Sequence, residues 1–204
     1  MRILLDNSVF TANQAVLGQV LTLLREDASF LRSSYPNFNS WLFNKVVPGI
    51  LSGERTVIVE MRANEVAGVM ILKHSQSEKK LCTLRIRPHY ESRGMGVRLF
   101  DAAFEILKTE RPLLSVSEKA MPKFENLFRH FGFSPEAIYE DRYLPRVREL
   151  SYNGLLDTLD AEPEVSTCTY RISRTRSKNS FSTQLRHSVE PSLGSRLHLN
   201  LLSA

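Results

Sequence analysis

The chain has 204 residues, of which 42% are hydrophobic and 24% are charged, and this is enough for one domain with a sizeable core. Six of the 27 basic residues but only one of the 22 acidic residues follow residue 164, so the net charge of +5 belongs to the tail and a basic domain is excluded. The chain has only two cysteines, Cys82 and Cys168, which excludes a disulfide framework. The hydrophobic run at the N-terminus is too short for a signal peptide or a membrane span, so we expect a cytoplasmic protein.

Short strand patterns and amphipathic helix patterns make up the first part of the chain. In chain order they predict a strand over 2–5, a helix over 13–25, a second helix from Asn39, and strands over 56–61 and 66–74. Pro48 and Gly49 are expected to bend or end the second helix. The last two strands are predicted to form a hairpin that turns at Asn64.

Residues 81–107 are predicted to form a strand, a turn and a helix. Leu84 and Ile86 alternate with Arg85 and Arg87, which indicates a strand, and Pro88 ends it because proline cannot donate to a sheet ladder. Helical spacing then follows, with one apolar face made of Val97, Phe100, Phe104 and Leu107.

The turn between them has the sequence E-S-R-G-M-G over residues 91–96. Its two glycines allow the backbone to approach a ligand closely, and the free amides at the helix start form a site for phosphate oxygens. A dinucleotide motif does not fit, because position 99 is Leu, and no Gly-Lys-Ser/Thr sequence indicates a triphosphate loop. The turn therefore predicts an anion site of another kind.

The C-terminal part of the domain continues with alternating elements. The patterns predict a strand over 113–117, a helix over 121–131 closed by Gly132, and strands over 137–143 and 147–152. Since a helix separates the strand at 81 from the strand at 113, these two strands are expected to run parallel with one right-handed crossover.

The turn resembles the acetyl-CoA-binding motif Q/R-x-x-G-x-G/A of the GNAT superfamily of N-acetyltransferases. Arg93, Gly94 and Gly96 match its core, whereas Glu91 stands where the family usually has Gln or Arg. A second local match is the helix that ends in Phe-Gly-Phe at 131–133. The resemblance covers residues 1–154 and implies a GNAT-like α/β fold. In that fold a central mixed sheet, flanked by helices, has a bulge or splay at the acetyl-CoA site.

This resemblance implies that the protein transfers acetyl from acetyl-CoA to an amine of a small molecule or a protein. The pantetheine arm is expected between the diverging strands, and the pyrophosphate is expected on the turn. The residues that the resemblance assigns to the cofactor are Leu84, Arg85, Ile86, Arg93, Gly94, Met95, Gly96 and Val97. The scattered histidines predict no metal site.

The catalytic groups depart from the family pattern. Phe128 stands where the family often has the tyrosine that protonates the leaving thiolate, and phenylalanine has no proton to give. The candidates for this role are Tyr139, Tyr143, Ser117 or a water molecule. Glu118, just past the strand at 113–117, is the candidate base for the amine, although a carboxylate before a helix is more commonly a cap.

Residues 155–204 lie outside the resemblance. From residue 161 onward, 13 of 44 residues are Ser or Thr and several are basic, which predicts a disordered or loosely packed extension. Two alternatives to this function remain open: a catalytically weak acetyl-CoA-binding module, and a nucleic-acid-associated acetyltransferase whose tail makes weak contacts to nucleic acid. The sequence is compatible with a monomer or a homodimer.

Overall fold

A computed structural model describes residues 1–10, 13–26, 35–156 and, for the backbone, 172–174. The strands are β1 Arg2–Leu5, β2 Arg55–Arg62, β3 Glu65–His74, β4 Lys79–Ile86, β5 Leu113–Ser117, β6 Pro135–Glu140, β7 Arg148–Tyr152 and β8 Ile172–Arg174. The α-helices are α1 Gln14–Arg25, α2 Phe38–Trp41, α3 Val47–Leu51, α4 Met95–Leu107 and α5 Met121–His130. A π-helical turn, Leu42–Val46, joins α2 to α3, and a 3₁₀ turn, Pro88–Tyr90, follows β4.

All of these strands belong to one mixed sheet in the order β1-β2-β3-β4-β5-β7-β6-β8. The pair β4 and β5 is parallel, with α4 as the crossover between them, and the other neighbouring pairs are antiparallel. This arrangement confirms the predicted fold class and the predicted parallel pair.

Helices cover both faces of the sheet. On one face, α4 and α5 bury an aromatic and aliphatic core that includes Leu99, Phe100, Val116 and Phe128. On the other face, α1 and the α2–α3 segment cover a second core that includes Leu24, Leu42 and Val59. Both faces of the central strands are therefore buried, which explains their nearly continuous apolar sequences.

The second helical segment continues past Pro48 and Gly49 to Leu51, so these residues do not end it. The wider π-helical turn directly before Pro48 is where the helix departs from regular geometry, and proline is one of the recognised causes of such departures. Gly49 is needed for packing: a Cβ atom there would lie 2.7 Å from Cδ of Arg55.

Turn geometry fixes the two hairpins. Ala63 and Asn64 have φ values of 47° and 63°, and positive φ at both central positions is the geometry of the tight hairpin turn predicted at Asn64. The predicted strand over 137–143 is displaced, since β6 starts at Pro135 and ends at Glu140. Asp141 ends it with a φ of 59°, and its carboxylate accepts a hydrogen bond from the Arg146 amide.

Candidate functional site

The parallel strands β4 and β5 separate after a short paired segment. Their ladder contains only the pairs Lys80–Leu113 and Leu81–Leu114. On the other side of β4, Ile71 pairs with Thr83 and Leu72 pairs with Leu81, which leaves Cys82 as an extra residue in a β-bulge. Because a bulge bends its strand, β4 turns away from β5 beyond this point. We call the space between residues 83–86 and 115–117 the β4–β5 opening.

Backbone groups of β4 face this opening. The Arg87 amide donates to the Ala67 carbonyl of β3 at 2.9 Å. Since N–H directions alternate along an extended strand, the amides and carbonyls of Leu84 and Ile86 point away from β3, toward the opening. Arg85 turns its backbone groups toward β3. Two of the three β4 residues predicted to bond the pantetheine arm thus present polar backbone groups there.

The β5 side of the opening is occupied by a phenol. The Glu118 amide donates to the Arg148 carbonyl of β7, so the preceding amide, that of Ser117, points toward the opening. That amide donates a hydrogen bond to the Tyr35 hydroxyl at 3.2 Å. The Tyr35 hydroxyl therefore lies at the edge of β5 that β4 has left.

The predicted phosphate cradle is formed at the start of α4. Gly94 is the N-cap with a φ of 73°, and the Arg98 amide makes the first helical hydrogen bond to the Gly94 carbonyl at 3.2 Å. The amides of Met95, Gly96 and Val97 precede that bond, and no side chain caps the helix. These amides and the positive end of the helix dipole are suited to bind phosphate oxygens.

The two motif glycines have different roles. A residue with a Cβ atom is strained at the φ of Gly94, so the backbone conformation favours glycine there. At Gly96 a Cβ atom would lie 3.4 Å from a Leu127 methyl and 3.8 Å from an Ile86 methyl, which is ordinary contact. Gly68 of β3 makes a closer approach to the helix start, since a Cβ atom there would lie only 2.8 Å from Sδ of Met95.

Glu149 of β7 is a buried carboxylate beside the opening, with 3% of its surface exposed. Its Oε1 accepts hydrogen bonds from the Ser115 hydroxyl at 2.7 Å and from the Tyr35 hydroxyl at 3.4 Å. Burial raises the pKa of Glu149 to about 7, although these hydrogen bonds and the charges of Arg142 and Lys80 favour the ionised form. Burial also raises the pKa of Tyr35.

This carboxylate lies on the sheet face opposite α4 and α5. Leu114 and Val116 point into the core under those helices, so the alternating side chain of Ser115, which donates to Glu149, points the other way. The phosphate cradle and Glu149 are thus on opposite sides of the sheet, and the β4–β5 opening lies between them.

The three predicted catalytic residues have different surroundings. Tyr143 lies next to Tyr35, and the centroids of the two rings are 5.7 Å apart. Tyr139 is fully buried, and its hydroxyl accepts a hydrogen bond from the Leu156 amide at 2.8 Å, which indicates a structural role.

Glu118 is held in an ion pair with the Arg148 guanidinium at 2.7 Å, and it also accepts a hydrogen bond from the Arg148 amide at 3.1 Å. These contacts lower the pKa of Glu118, with the backbone hydrogen bond as the largest cause, and make it a weaker base than Glu149.

Phe128 is buried in the aromatic core under α5, as its apolar side chain predicts. The Tyr152 ring lies 4.7 Å from the Phe128 ring, and the Tyr152 hydroxyl donates to Sδ of Met121 at 3.2 Å. A phenol is therefore present next to the position where the family often has one. Sequence reasoning missed Tyr35, Glu149 and Tyr152. The strand β7 has the sequence Arg-Glu-Leu-Ser-Tyr, in which nothing marks Glu149 as a buried carboxylate.

Comparison with solved structures shows the fold. The PaiA N-acetyltransferase from Thermoplasma acidophilum, solved with coenzyme A, is 17% identical over 74% of this chain and 98% of its own, with a TM-score of 0.50. The NatC complex bound to a Gag peptide and CoA gives 16% identity over 74% of this chain and 95% of its own, with a TM-score of 0.51. No protein-family model and no curated protein matches the sequence.

The chain therefore has the same fold as these two solved structures, as the resemblance implied. Within the part of the chain that the structure describes, no group of three or more His, Cys, Asp or Glu residues is arranged to hold a metal ion. No helix among the same residues is long and apolar enough to cross a membrane.

Proposed function

We propose that the protein is an N-acetyltransferase that uses acetyl-CoA. The observation that carries this proposal is the β4–β5 opening with the uncapped start of α4 beside it. The amides of a pantetheine arm are suited to pair with the backbone groups of Leu84 and Ile86, as another strand would. The amides of residues 93–97 are suited to hold the pyrophosphate.

In this proposal one face of the sheet binds the cofactor and the other face binds the acceptor amine. The cofactor enters from the α4–α5 side, where the phosphate cradle lies, and its acetyl group reaches through the opening. The acceptor amine approaches from the side of Tyr35, Tyr143 and Glu149. This division supplies polar groups around the amine without placing them in the path of the phosphates. For the acceptor we propose the class that the sequence predicted, a small-molecule amine or a protein amine.

The other sequence-based predictions are kept as proposals. They are a domain boundary at residue 154, a cytoplasmic location and weak contacts of the tail with nucleic acid. The alternative of a weak acetyl-CoA-binding module rests on Phe128 and Glu91, and the Tyr152 hydroxyl near Phe128 makes this alternative less favoured.

Charge reversal at the cradle tests cofactor binding. Arg93 is exposed in the turn before α4, and Arg93→Glu places a negative charge where the pyrophosphate is expected. We expect the Kd for acetyl-CoA, measured by calorimetry, to rise about tenfold or more, which corresponds to ~1.4 kcal/mol.

Arg129→Glu is the matched control, because Arg129 is an exposed arginine on α5 that pairs only with its own helix at Glu125. This variant should bind acetyl-CoA as the unaltered protein does. Equal affinity for all three proteins, or no binding by any of them, would remove the cofactor from the proposal. Release of CoA with a panel of amines and peptides then identifies the acceptor.

A further inference from the structure

A carboxylate is seldom buried in a strand without a reason, and Glu149 is the most deeply buried of the carboxylates near the β4–β5 opening. The Glu118 carboxylate is partly exposed in its ion pair with Arg148. The Glu149 carboxylate, in contrast, is hydrogen-bonded to Ser115 and Tyr35. Burial of an ionisable group costs stability unless it is fully compensated, so a buried carboxylate beside an opening is a candidate functional group.

The hydrogen bonds around Tyr35 have a definite direction. Its hydroxyl oxygen accepts from the Ser117 amide, and its proton is donated to Glu149. A hydroxyl has two acceptor lone pairs, so one lone pair remains for an incoming N–H group. Because the Ser117 amide points into the opening, that lone pair is on the path between the opening and Glu149.

We propose that Tyr35 and Glu149 together remove the proton of the acceptor amine, with Tyr35 as the relay and Glu149 as the proton acceptor. This inference rests on the acetyltransferase activity proposed above. Tyr35 receives the amine proton on its oxygen and passes its own proton to the Glu149 carboxylate. At the same time the amine nitrogen forms a bond to the acetyl carbon, and the carbon–sulfur bond breaks. The electron pair of that bond leaves with sulfur, which takes a proton from water, and Glu149 later returns its proton to water.

The groups that face Glu149 suit this role. Ser115 on β5 donates to it, Tyr35 donates from the segment before α2, and Lys80 on β4 and Arg142 after β6 supply positive charge at longer range. A base with a pKa of about 7 is ionised in about half of the molecules at neutral pH, which is the range in which general base catalysis is most effective. The raised pKa of Tyr35 disfavours a free tyrosinate, so the two proton transfers are expected to occur together.

The experiment is a pH profile of kcat/KM for CoA release, with an amine that the unaltered protein acetylates. The unaltered protein should lose activity as the pH falls through about 7, because protonated Glu149 cannot accept a proton. Glu149→Gln should lower kcat about 10²–10⁴-fold and abolish the limb near pH 7, while the dependence that comes from ionisation of the amine itself stays. Tyr35→Phe keeps the ring that packs on Tyr143 and should lower kcat similarly, while the Kd for acetyl-CoA stays unchanged in both variants.

Ser115→Ala distinguishes a base from a structural residue. The Ser115 hydrogen bond favours the ionised carboxylate, so its loss should move the acidic limb to higher pH and retain the rate on the alkaline side. Glu125→Gln, an exposed carboxylate on α5, should leave the whole profile unchanged.

Two results would overturn the inference. An unchanged rate and acidic limb in Glu149→Gln would remove Glu149, and a large loss in Glu118→Gln instead would move the base to that residue. These outcomes leave the acetyltransferase activity intact. Failure of the unaltered protein to release CoA with any amine, despite normal acetyl-CoA binding, would overturn the proposed activity and this inference together.

Discussion

Glu149 makes the folded protein sensitive to pH independently of any activity. Its pKa rises from the ordinary 4.5 to about 7 on folding, so between these values the folded protein binds a proton that the unfolded chain has released. Stability contributed by this group is therefore highest below pH 4.5 and falls as the pH rises through 7. Glu149 thus lowers stability at neutral pH, and such a cost is typical of functional groups.

Replacement of the carboxyl by an amide should remove that cost. We expect Glu149→Gln to gain stability relative to the unaltered protein between pH 5 and pH 8, by up to about 3 kcal/mol from the shift of the pKa. Urea unfolding at both pH values measures the difference. If the two proteins keep the same difference in unfolding free energy at both values, Glu149 is ionised over the whole range and its burial has been overcompensated by its partners.

At the scale of the elements, the bulge in β4 decides where cofactor groups can bind. The alternation of N–H directions gives a test by hydrogen exchange with site resolution. The amides of Leu84 and Ile86 face the opening, whereas the Arg87 amide is bonded to β3. We expect the first two amides to exchange faster in the free protein and to become protected when acetyl-CoA is added.

The Arg87 amide, and the Arg85 amide that also faces β3, serve as internal controls on the same strand. They should be protected with or without acetyl-CoA. Protection of all four amides in the free protein would mean that β4 and β5 are closed together, and no change on addition of acetyl-CoA would place the cofactor elsewhere.

Most elements could be predicted because their periodicity is local. The strand at 113–117 and the helix at 13–25 follow from alternation and from three-four spacing, with boundaries within one residue. The bulge could not be derived in this way, since an extra residue at Cys82 puts Leu81 and Leu84 on the same face although they are three positions apart. The splay was predicted only through the resemblance.

The candidate site also has one part that could be predicted from the sequence and one part that could not. The turn at 91–96 is contiguous, so its glycines and free amides were visible in the sequence. The contact of Tyr35 with Glu149 joins segments that no periodicity relates, and for that reason Glu118, the nearest carboxylate along the chain, was predicted as the base instead. Burial, which sets the pKa of Glu149, depends on the packed structure.

At the scale of the whole molecule, the C-terminal extension meets the sheet. The backbone of β8 pairs with β6, with Ile138 opposite Ser173. We predict that a chain ending at residue 160 folds and binds acetyl-CoA, because β4, β5 and α4 precede that point. Calorimetry and thermal unfolding check both properties.

A chain ending at residue 175 keeps β8 and is the matched comparison. Any difference in Tm between the two truncated chains then measures what the added strand contributes to the β6 edge. Loss of acetyl-CoA binding in the shorter chain alone would make β8 part of the domain and would move the boundary beyond residue 154.

The contact between Tyr35 and Glu149 spans 114 positions of the chain. Contacts at such separation require closure of a long loop, and they form late relative to hairpins such as β2–β3. During synthesis, Tyr35 emerges long before its partner, so the amine side of the site is absent until the chain has passed β7. The cradle at residues 93–97 is built by neighbouring segments, the end of β4 and the start of α4. The amine side of the proposed site is therefore expected to form later in folding than the start of α4.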